Sequence, residues 1–133
     1  IVDGKVITAA LALGASAVQM GTAFLCCHEA TPSPLHRAAL QVAHGQHTAL
    51  TNLFSGRPAR GMVNRVMREL GPLTAPTPEF PLATSAIAPL RAKAESLGSS
   101  DFSPLWSGQN ASGCKAIGAA ALTLELAGRW RSL

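Results

Sequence analysis

Ala17-Val18-Gln19-Met20-Gly21-Thr22 is the most informative stretch of this sequence. Its first four residues suit a buried strand, and its final Gly-Thr pair is typical of a turn. Glycine lets a ligand approach the backbone closely, and a threonine hydroxyl can donate to a phosphate oxygen. Because ligands bind at the carboxyl ends of strands in parallel α/β folds, the stretch predicts a phosphate contact. A plain turn would have the same local sequence, so this alternative stays open.

A helix is predicted just before this strand. Residues Lys5 to Leu13 are rich in Ala and Leu, Asp3 is placed to cap their N-terminus, and Gly14 follows as a natural end. A helix joined by a short link to a buried strand is half of a βαβ unit, whose sheet is parallel and covered on both faces. One strand cannot form such a sheet, so we expect its partner strands to lie outside this sequence.

The rest of the chain is predicted to be mostly helical. The predicted helices are 35–43, entered through Ser33-Pro34, and then 59–70, 82–97 and 115–130. Pro89 is expected to kink or split the third of these. Thr48–Phe54 is compatible with a strand, and Pro72–Pro81 is predicted to be an extended connector.

The composition excludes two classes of protein. Of the 133 residues, 47% are hydrophobic, 14% charged and 5% aromatic, which excludes an intrinsically disordered chain. The apolar stretches are broken well before the roughly 18 residues that a membrane span needs, so we expect no membrane partner. The sequence begins with Ile1 and has no basic-then-apolar leader. We therefore expect a cytoplasmic protein, and a piece of a longer one.

The net charge of +4 includes one local cluster of arginines, namely Arg57, Arg60, Arg65 and Arg68. A basic cluster can bind nucleic acid or phosphate, but a solvated or ion-paired helix face has the same pattern. No aromatic residue is interleaved with these arginines, as stacking on single strands would need. The sequence therefore predicts no nucleic-acid partner.

The cysteines and histidines lack the spacing of a metal site. They are Cys26, Cys27 and Cys114, with His28, His36, His44 and His47. Side chains of adjacent cysteines diverge, so they cannot chelate as a CxxC pair does. His44 and His47 could share a helix face, but the glycine between them weakens a helix there. We predict no metal, and free thiols in a reducing cytoplasm.

Four ordered blocks of this sequence match one enzyme family. They are Asp3–Leu25, then Ser55–Gly61 with Asn64-Arg65, then Pro78–Pro81, and finally Leu105–Gln109. Through these blocks the chain resembles the FMN-dependent nitronate monooxygenases over nearly its whole length. The first block is shared with FMN-dependent enoyl-ACP reductases, whereas the second and fourth favour the nitronate branch.

The resemblance implies an α/β fold, namely the C-terminal part of a (β/α)8 TIM barrel with an added α-rich region. Residues 1–30 would be the last helix–strand unit of the FMN-binding barrel. Residues 31–100 would be the added region, and residues 101–133 a tail and helix that return to the barrel. Such a barrel typically needs about 250 residues, so this chain would hold only part of it, mostly helical.

The resemblance also implies an activity, the oxidation of alkyl nitronates by FMN and O₂. Gln19, Met20, Gly21 and Thr22 would bind FMN, the last two at its phosphate. The resemblance also implies that the catalytic His comes from a strand before Ile1, and none of the four histidines of this chain matches its position.

Three other positions are implied to lie near the substrate. Gln109 and Lys115 are candidates for the substrate pocket, although packing suits Gln109 as well and a solvated helix start suits Lys115 better. Phe80 stands where the family often has Tyr, so this chain lacks that hydroxyl. Two alternatives remain: an FMN-dependent enoyl-ACP reductase that uses NAD(P)H, and a cofactor-free helical binding module.

Overall fold

The structure is a computed structural model that describes residue 1, residues 3–42 and residues 47–128. Its elements are α1 (Gly4–Ala12), a 3₁₀ helix (Thr22–Cys26), α2 (Pro34–Gln41), β1 (Thr48–Thr51), β2 (Ala59–Met62), α3 (Arg65–Leu70), α4 (Leu82–Ser96) and α5 (Ala119–Gly128). These elements form two compact units. The first unit combines the described residues up to 42 with those from 110 onward, and the second comprises residues 47–109.

Helix α1 begins and ends where local chemistry predicts. The Asp3 carboxylate accepts from the backbone N–H groups of Lys5 at 2.8 Å and Val6 at 2.9 Å, which otherwise have no partner within the helix. Gly14 follows the helix with a φ of +97°, a conformation that glycine adopts without steric cost. The predicted helix over Lys5–Leu13 is confirmed within one residue at each end.

The predicted strand over Ala17–Thr22 is not formed. Residues 17–21 have no strand partner among the described residues, and Thr22 already belongs to the 3₁₀ helix. The reason is that a strand exists through hydrogen bonds to its neighbours, and this part of the chain has none. Val18 and Met20 still turn towards apolar surroundings, because both pack against the core of the first unit.

The core of the first unit joins both ends of the chain. Ile7 from α1, Ala23 and Cys27 from the 3₁₀ region, and Leu122 and Leu126 from α5 are all buried together. Helix α5 begins at Ala119 rather than at the predicted residue 115, because the Glu29 carboxylate accepts from the Ala119 N–H at 2.9 and 3.0 Å. Residues 129 and 130 of the predicted helix lie outside the described residues.

The second unit corrects the predicted helix over Ala59–Leu70. Its first four residues form β2, which pairs antiparallel with β1 from Thr48↔Met62 to Thr51↔Ala59. The opposite edge of β2 contacts the segment around Trp106: Met62 N–H donates to the Leu105 carbonyl at 2.8 Å, and Ser107 N–H donates to the Arg60 carbonyl at 3.1 Å. Only Arg65–Leu70 is helical, because pairing on both edges of β2 outweighs the amphipathic helical pattern.

The remainder of the second unit matches its prediction more closely. Helix α4 runs without a break through Pro89, so the predicted kink or split does not divide it. The connector is held by Asn52, whose side chain donates to the Thr74 carbonyl at 2.9 Å and accepts from the Thr74 N–H at 3.1 Å. Phe54 packs edge-on against Trp106, with ring centroids 5.7 Å apart, in a core that includes Val66 and Met67.

Candidate functional site

The segment predicted to bind FMN, Gln19–Thr22, connects α1 to the 3₁₀ helix in the first unit. Gln19 and Gly21 are exposed, whereas Met20 and Thr22 are half-buried. A Cβ atom added to Gly21 would meet no other atom within 4 Å. One side of the backbone at Gly21 is therefore open to a ligand, while the Met20 side chain anchors the segment in the core.

The hydrogen bonds of this segment leave donors for an anion. Among the described residues, the backbone N–H groups of Met20 and Gly21 donate to no acceptor, whereas the Gly21 carbonyl accepts from Phe24 N–H at 3.0 Å. Successive unengaged N–H groups beside an open glycine are a donor set that fits a phosphate. The φ of Gly21 is −122°, which any residue adopts. Glycine is therefore not needed here for its backbone conformation; it leaves room for a ligand to reach the backbone.

A thiol holds the start of the 3₁₀ helix. The Sγ of Cys114 donates to the Thr22 carbonyl at 3.2 Å. Burial, together with the neighbouring thiols of Cys26 and Cys27, raises the pKa of Cys114 to about 12, so this side chain stays a neutral donor at ordinary pH. Burial also raises the pKa of Cys27. The three thiols are free and act here as packing and hydrogen-bonding groups rather than as nucleophiles.

The loop that follows the 3₁₀ helix is held by groups that the sequence did not single out. The guanidinium of Arg37 on α2 donates to the backbone carbonyls of Cys26, Cys27 and Ala30. The His28 ring lies 3.0 Å from the Ala116 carbonyl, and its Nε2 atom makes that contact. No local pattern predicts these bonds, because each depends on a part of the chain that only folding brings close.

The two substrate-pocket candidates fall in different units. Lys115 is an exposed residue of the first unit, and its ammonium group pairs with the Glu125 carboxylate on α5. Gln109 is exposed and belongs to the second unit. The contacts of Lys115 therefore match the surface interpretation, and the pocket role of Gln109 stays a prediction.

Most of the arginine cluster is engaged inside the second unit. The Arg57 guanidinium lies 4.5 Å from the centre of the Phe80 ring, and Arg60 donates to the carbonyl and hydroxyl oxygens of Thr48 at 3.3 Å. Arg65 pairs with Glu69 at 2.7 Å. Arg65 on α3 therefore matches the ion-paired helix face, whereas Arg60 lies in strand β2 and Arg57 precedes it, so the predicted helix face does not extend to them.

The described residues contain neither a metal-binding cluster nor a helix that could span a membrane. No group of three or more His, Cys, Asp and Glu side chains is arranged to hold a metal ion in residues 1, 3–42 and 47–128. His44 lies outside these ranges, so the predicted weakness of the His44–His47 pair is not tested. No helix in the described part of the chain is long and apolar enough to cross a membrane.

Comparison with known proteins decides the family. A family model described as nitronate monooxygenase matches residues 1–127. The chain belongs to the nitronate monooxygenase family. Its sequence is 42% identical over 127 residues to a nitronate monooxygenase from Pseudomonas aeruginosa, covering 95% of this chain and 36% of that protein. It is 39% identical over 109 residues to a probable nitronate monooxygenase from Bacillus subtilis, covering 82% of this chain and 31% of that protein.

Solved structures agree with this assignment. The chain of a nitroalkane oxidase from Streptomyces ansochromogenes superposes with a TM-score of 0.83 at 36% identity, covering 99% of this chain and 38% of the other. A FabK variant from Thermotoga maritima superposes with a TM-score of 0.66 at 24% identity, which shows a shared fold. The family predicted from the four sequence blocks is confirmed, and the chain spans about a third of the length of its curated relatives.

Proposed function

We propose that this chain supplies the FMN phosphate-binding segment of an FMN-dependent nitronate monooxygenase, an oxidoreductase that oxidises alkyl nitronates with O₂. The observation that carries the proposal is the open backbone at Gly21, where two successive N–H groups donate to no acceptor among the described residues. The family membership of the chain supports it, as does its similarity to a nitronate monooxygenase from Pseudomonas aeruginosa and a nitroalkane oxidase from Streptomyces ansochromogenes.

The proposed roles follow from the position of each residue. The Met20 and Gly21 N–H groups donate to the phosphate, and the Thr22 hydroxyl adds a donor at the same end. Gln19 is exposed beside them and is proposed to contact the same cofactor. FMN supplies the electron transfer when bound, and the part of this chain is to bind and orient it.

The wider architecture is part of the same proposal. In it, residues 17–21 form a strand of a (β/α)8 barrel whose other strands lie outside the described residues, which accounts for their lack of a strand partner. The same proposal includes the divisions at residues 1–30, 31–100 and 101–133, the catalytic His before Ile1 and the cytoplasmic setting. Gln109 is proposed for the substrate pocket, and Lys115 would need to leave Glu125 to reach it.

The decisive experiment changes the open side of Gly21 in the full-length gene product. Gly21→Val places a branched side chain where the phosphate would approach, and we expect FMN affinity to fall by at least about tenfold. The control is Gly128→Val, because a Cβ at Gly128 also meets no atom within 4 Å. FMN affinity is measured by titrating the apoprotein and following flavin fluorescence.

Two further results bear on the proposal. The wild-type protein should turn over an alkyl nitronate with O₂ and should not reduce an enoyl thioester with NADH. Residues 1–133 alone should bind no stoichiometric flavin. Equal FMN affinity of the Gly21 variant and wild type would overturn the assigned segment, and enoyl thioester reduction would overturn the assigned reaction.

A further inference from the structure

We propose that Arg37 is a positioning residue for the FMN phosphate segment, acting through the backbone of the 3₁₀ helix that follows Gly21. The inference rests on the proposed function of Gln19–Thr22. In this inference Arg37 affects FMN affinity separately from the contacts that Gln19–Thr22 make with FMN.

The side chain of Arg37 is directed entirely at main-chain carbonyls. Its Nη1 atom donates to the Cys26 carbonyl at 2.7 Å, and its Nη2 atom donates to the Ala30 carbonyl at 2.9 Å. The Cys27 carbonyl lies between them, 3.5 Å from Nη1 and 3.4 Å from Nη2. We call these contacts the Arg37 fork. Among the described residues Arg37 has no ion pair with a carboxylate, so no acidic side chain competes for the fork.

A continuous series of backbone hydrogen bonds links the fork to Gly21. The Gly21 carbonyl accepts from Phe24 N–H at 3.0 Å, and the Phe24 carbonyl accepts from Cys27 N–H at 3.1 Å. The Cys27 carbonyl then accepts from the Arg37 fork. Each step passes through the backbone of one residue, Cys27 and then Phe24, so the fork restrains the residues that hold the Gly21 carbonyl. Because a peptide bond is planar, the Gly21–Thr22 peptide unit, which directly follows the open Gly21 N–H, is thereby restrained.

Both partners of the fork are themselves anchored. Ala23 and Cys26 are buried in the first unit, so the 3₁₀ helix cannot tilt without disturbing the packing around them. Arg37 lies on α2, whose N-terminus is capped by the Ser33 hydroxyl through His36 N–H at 3.2 Å. Arginine suits this task better than lysine, because its planar fork reaches three carbonyls from two nitrogen atoms in a fixed geometry.

The test uses the full-length gene product and FMN itself as the probe. In Arg37→Met the length of the side chain is similar but all donors are lost, and we expect the Kd for FMN to rise by at least about tenfold. In Arg37→Lys the charge is retained without the fork, and we expect a smaller rise. Arg65→Met is the matched control, because it removes an arginine from an exposed ion pair with Glu69 in the second unit. It should leave the Kd unchanged.

A second readout separates positioning from general stability. Hydrogen exchange of the apoprotein should speed up at the amides of Phe24 and Cys27 in the Arg37 variants while the amides of α1 keep their rates. Urea unfolding establishes that each variant is folded under the titration conditions. If Arg37→Met does not fold, the Arg37→Lys titration and its hydrogen exchange decide the question.

The outcomes are distinct. A folded Arg37→Met protein with wild-type FMN affinity would overturn the positioning role, as would an equal loss in Arg65→Met. A wild-type apoprotein that binds no FMN would overturn the proposed function itself, and this inference with it.

Discussion

Cys114 Sγ donates a 3.2 Å hydrogen bond to the backbone carbonyl of Thr22, a residue 92 positions earlier in the chain. The bond joins the segment before α5 to the start of the 3₁₀ helix, so the two ends of the chain are tied at the candidate phosphate site. Cys114 is half-buried, and the neutral thiol is the form that donates.

The Cys114 bond predicts a specific mutational pattern. Cys114→Ala removes the donor and leaves the Thr22 carbonyl without this thiol partner, so we expect a loss of about 1 kcal/mol in the free energy of unfolding. Cys114→Ser keeps a donor and should lose less. Urea denaturation followed by circular dichroism measures both values. A Cys114→Ala protein as stable as the wild type would contradict the assigned bond.

The same thiol predicts a dependence on alkaline pH. The pKa of Cys114 is about 12 in the folded chain, against an ordinary value of 9.0. Above pH 9 the unfolded chain therefore releases a proton that the folded chain retains, so stability is fully present below pH 9 and falls from there towards pH 12. The fall should be shallower in Cys114→Ala, as measured by thermal unfolding over this range.

The contact of Glu29 with the start of α5 is expected to lose its stabilising effect at acid pH. Its carboxylate accepts from the Ala119 N–H, and this bond lowers the pKa of Glu29 below its ordinary value of 4.5. A depressed pKa contributes stability above pH 4.5 that is lost as the pH falls below it. Glu29→Gln should flatten this loss in a series of thermal melts. A Glu29→Gln protein with the wild-type slope would contradict this role of the Glu29 carboxylate.

We expect a methyl group added at Gly56 to lower the free energy of unfolding by a large amount. Its φ is +84°, and an added Cβ would lie 2.4 Å from the backbone nitrogen of Phe80. Gly98→Ala is the matched control, because Gly98 has a φ of +76° and no atom within 4 Å of the added Cβ. The backbone strain alone should cost roughly 1–2 kcal/mol in Gly98→Ala, and Gly56→Ala should cost clearly more. Equal losses in chemical denaturation would show that the close approach at Gly56 is absent.

The side-chain amide of Asn64 is expected to stabilise two parts of the second unit. Its Oδ1 atom caps α3 through Met67 N–H at 3.5 Å, and its Nδ2 atom donates to the carbonyls of Ser100 at 3.2 Å and Ser103 at 2.9 Å. Asn64→Ala should destabilise the protein by about 2–4 kcal/mol, from a lost cap of about 1 kcal/mol and two lost hydrogen bonds of about 0.5–1.5 kcal/mol each. Asn64→Asp keeps the cap but places a buried carboxylate oxygen against two carbonyl oxygens, so its midpoint in urea should also lie below that of the wild type.

The sequence predicted those parts of the fold that depend on neighbouring residues. Asp3 caps α1 and Ser33 caps α2 as their positions indicate, and Gly14, with a φ of +97°, follows the end of α1. Each of these features depends on hydrogen bonds within about four residues, which local side chains decide. The family was also accessible, because four ordered blocks of residues carried the resemblance that the comparisons confirm.

Only the tertiary structure decided the features that depend on distant partners. Residues 59–62 have the apolar spacing of a helix and became strand β2, because β1 and the Leu105–Ser107 segment pair with its two edges. Residues 17–21 have the composition of a strand and stay unpaired, since no described strand lies beside them. Arg37, Glu29 and Cys114 hold the backbone around the candidate site through contacts that no local pattern contains. The physical reason is that a cap or a turn forms within its own segment, whereas strand pairing and side-chain bonds to remote carbonyls form only when folding closes the intervening loop.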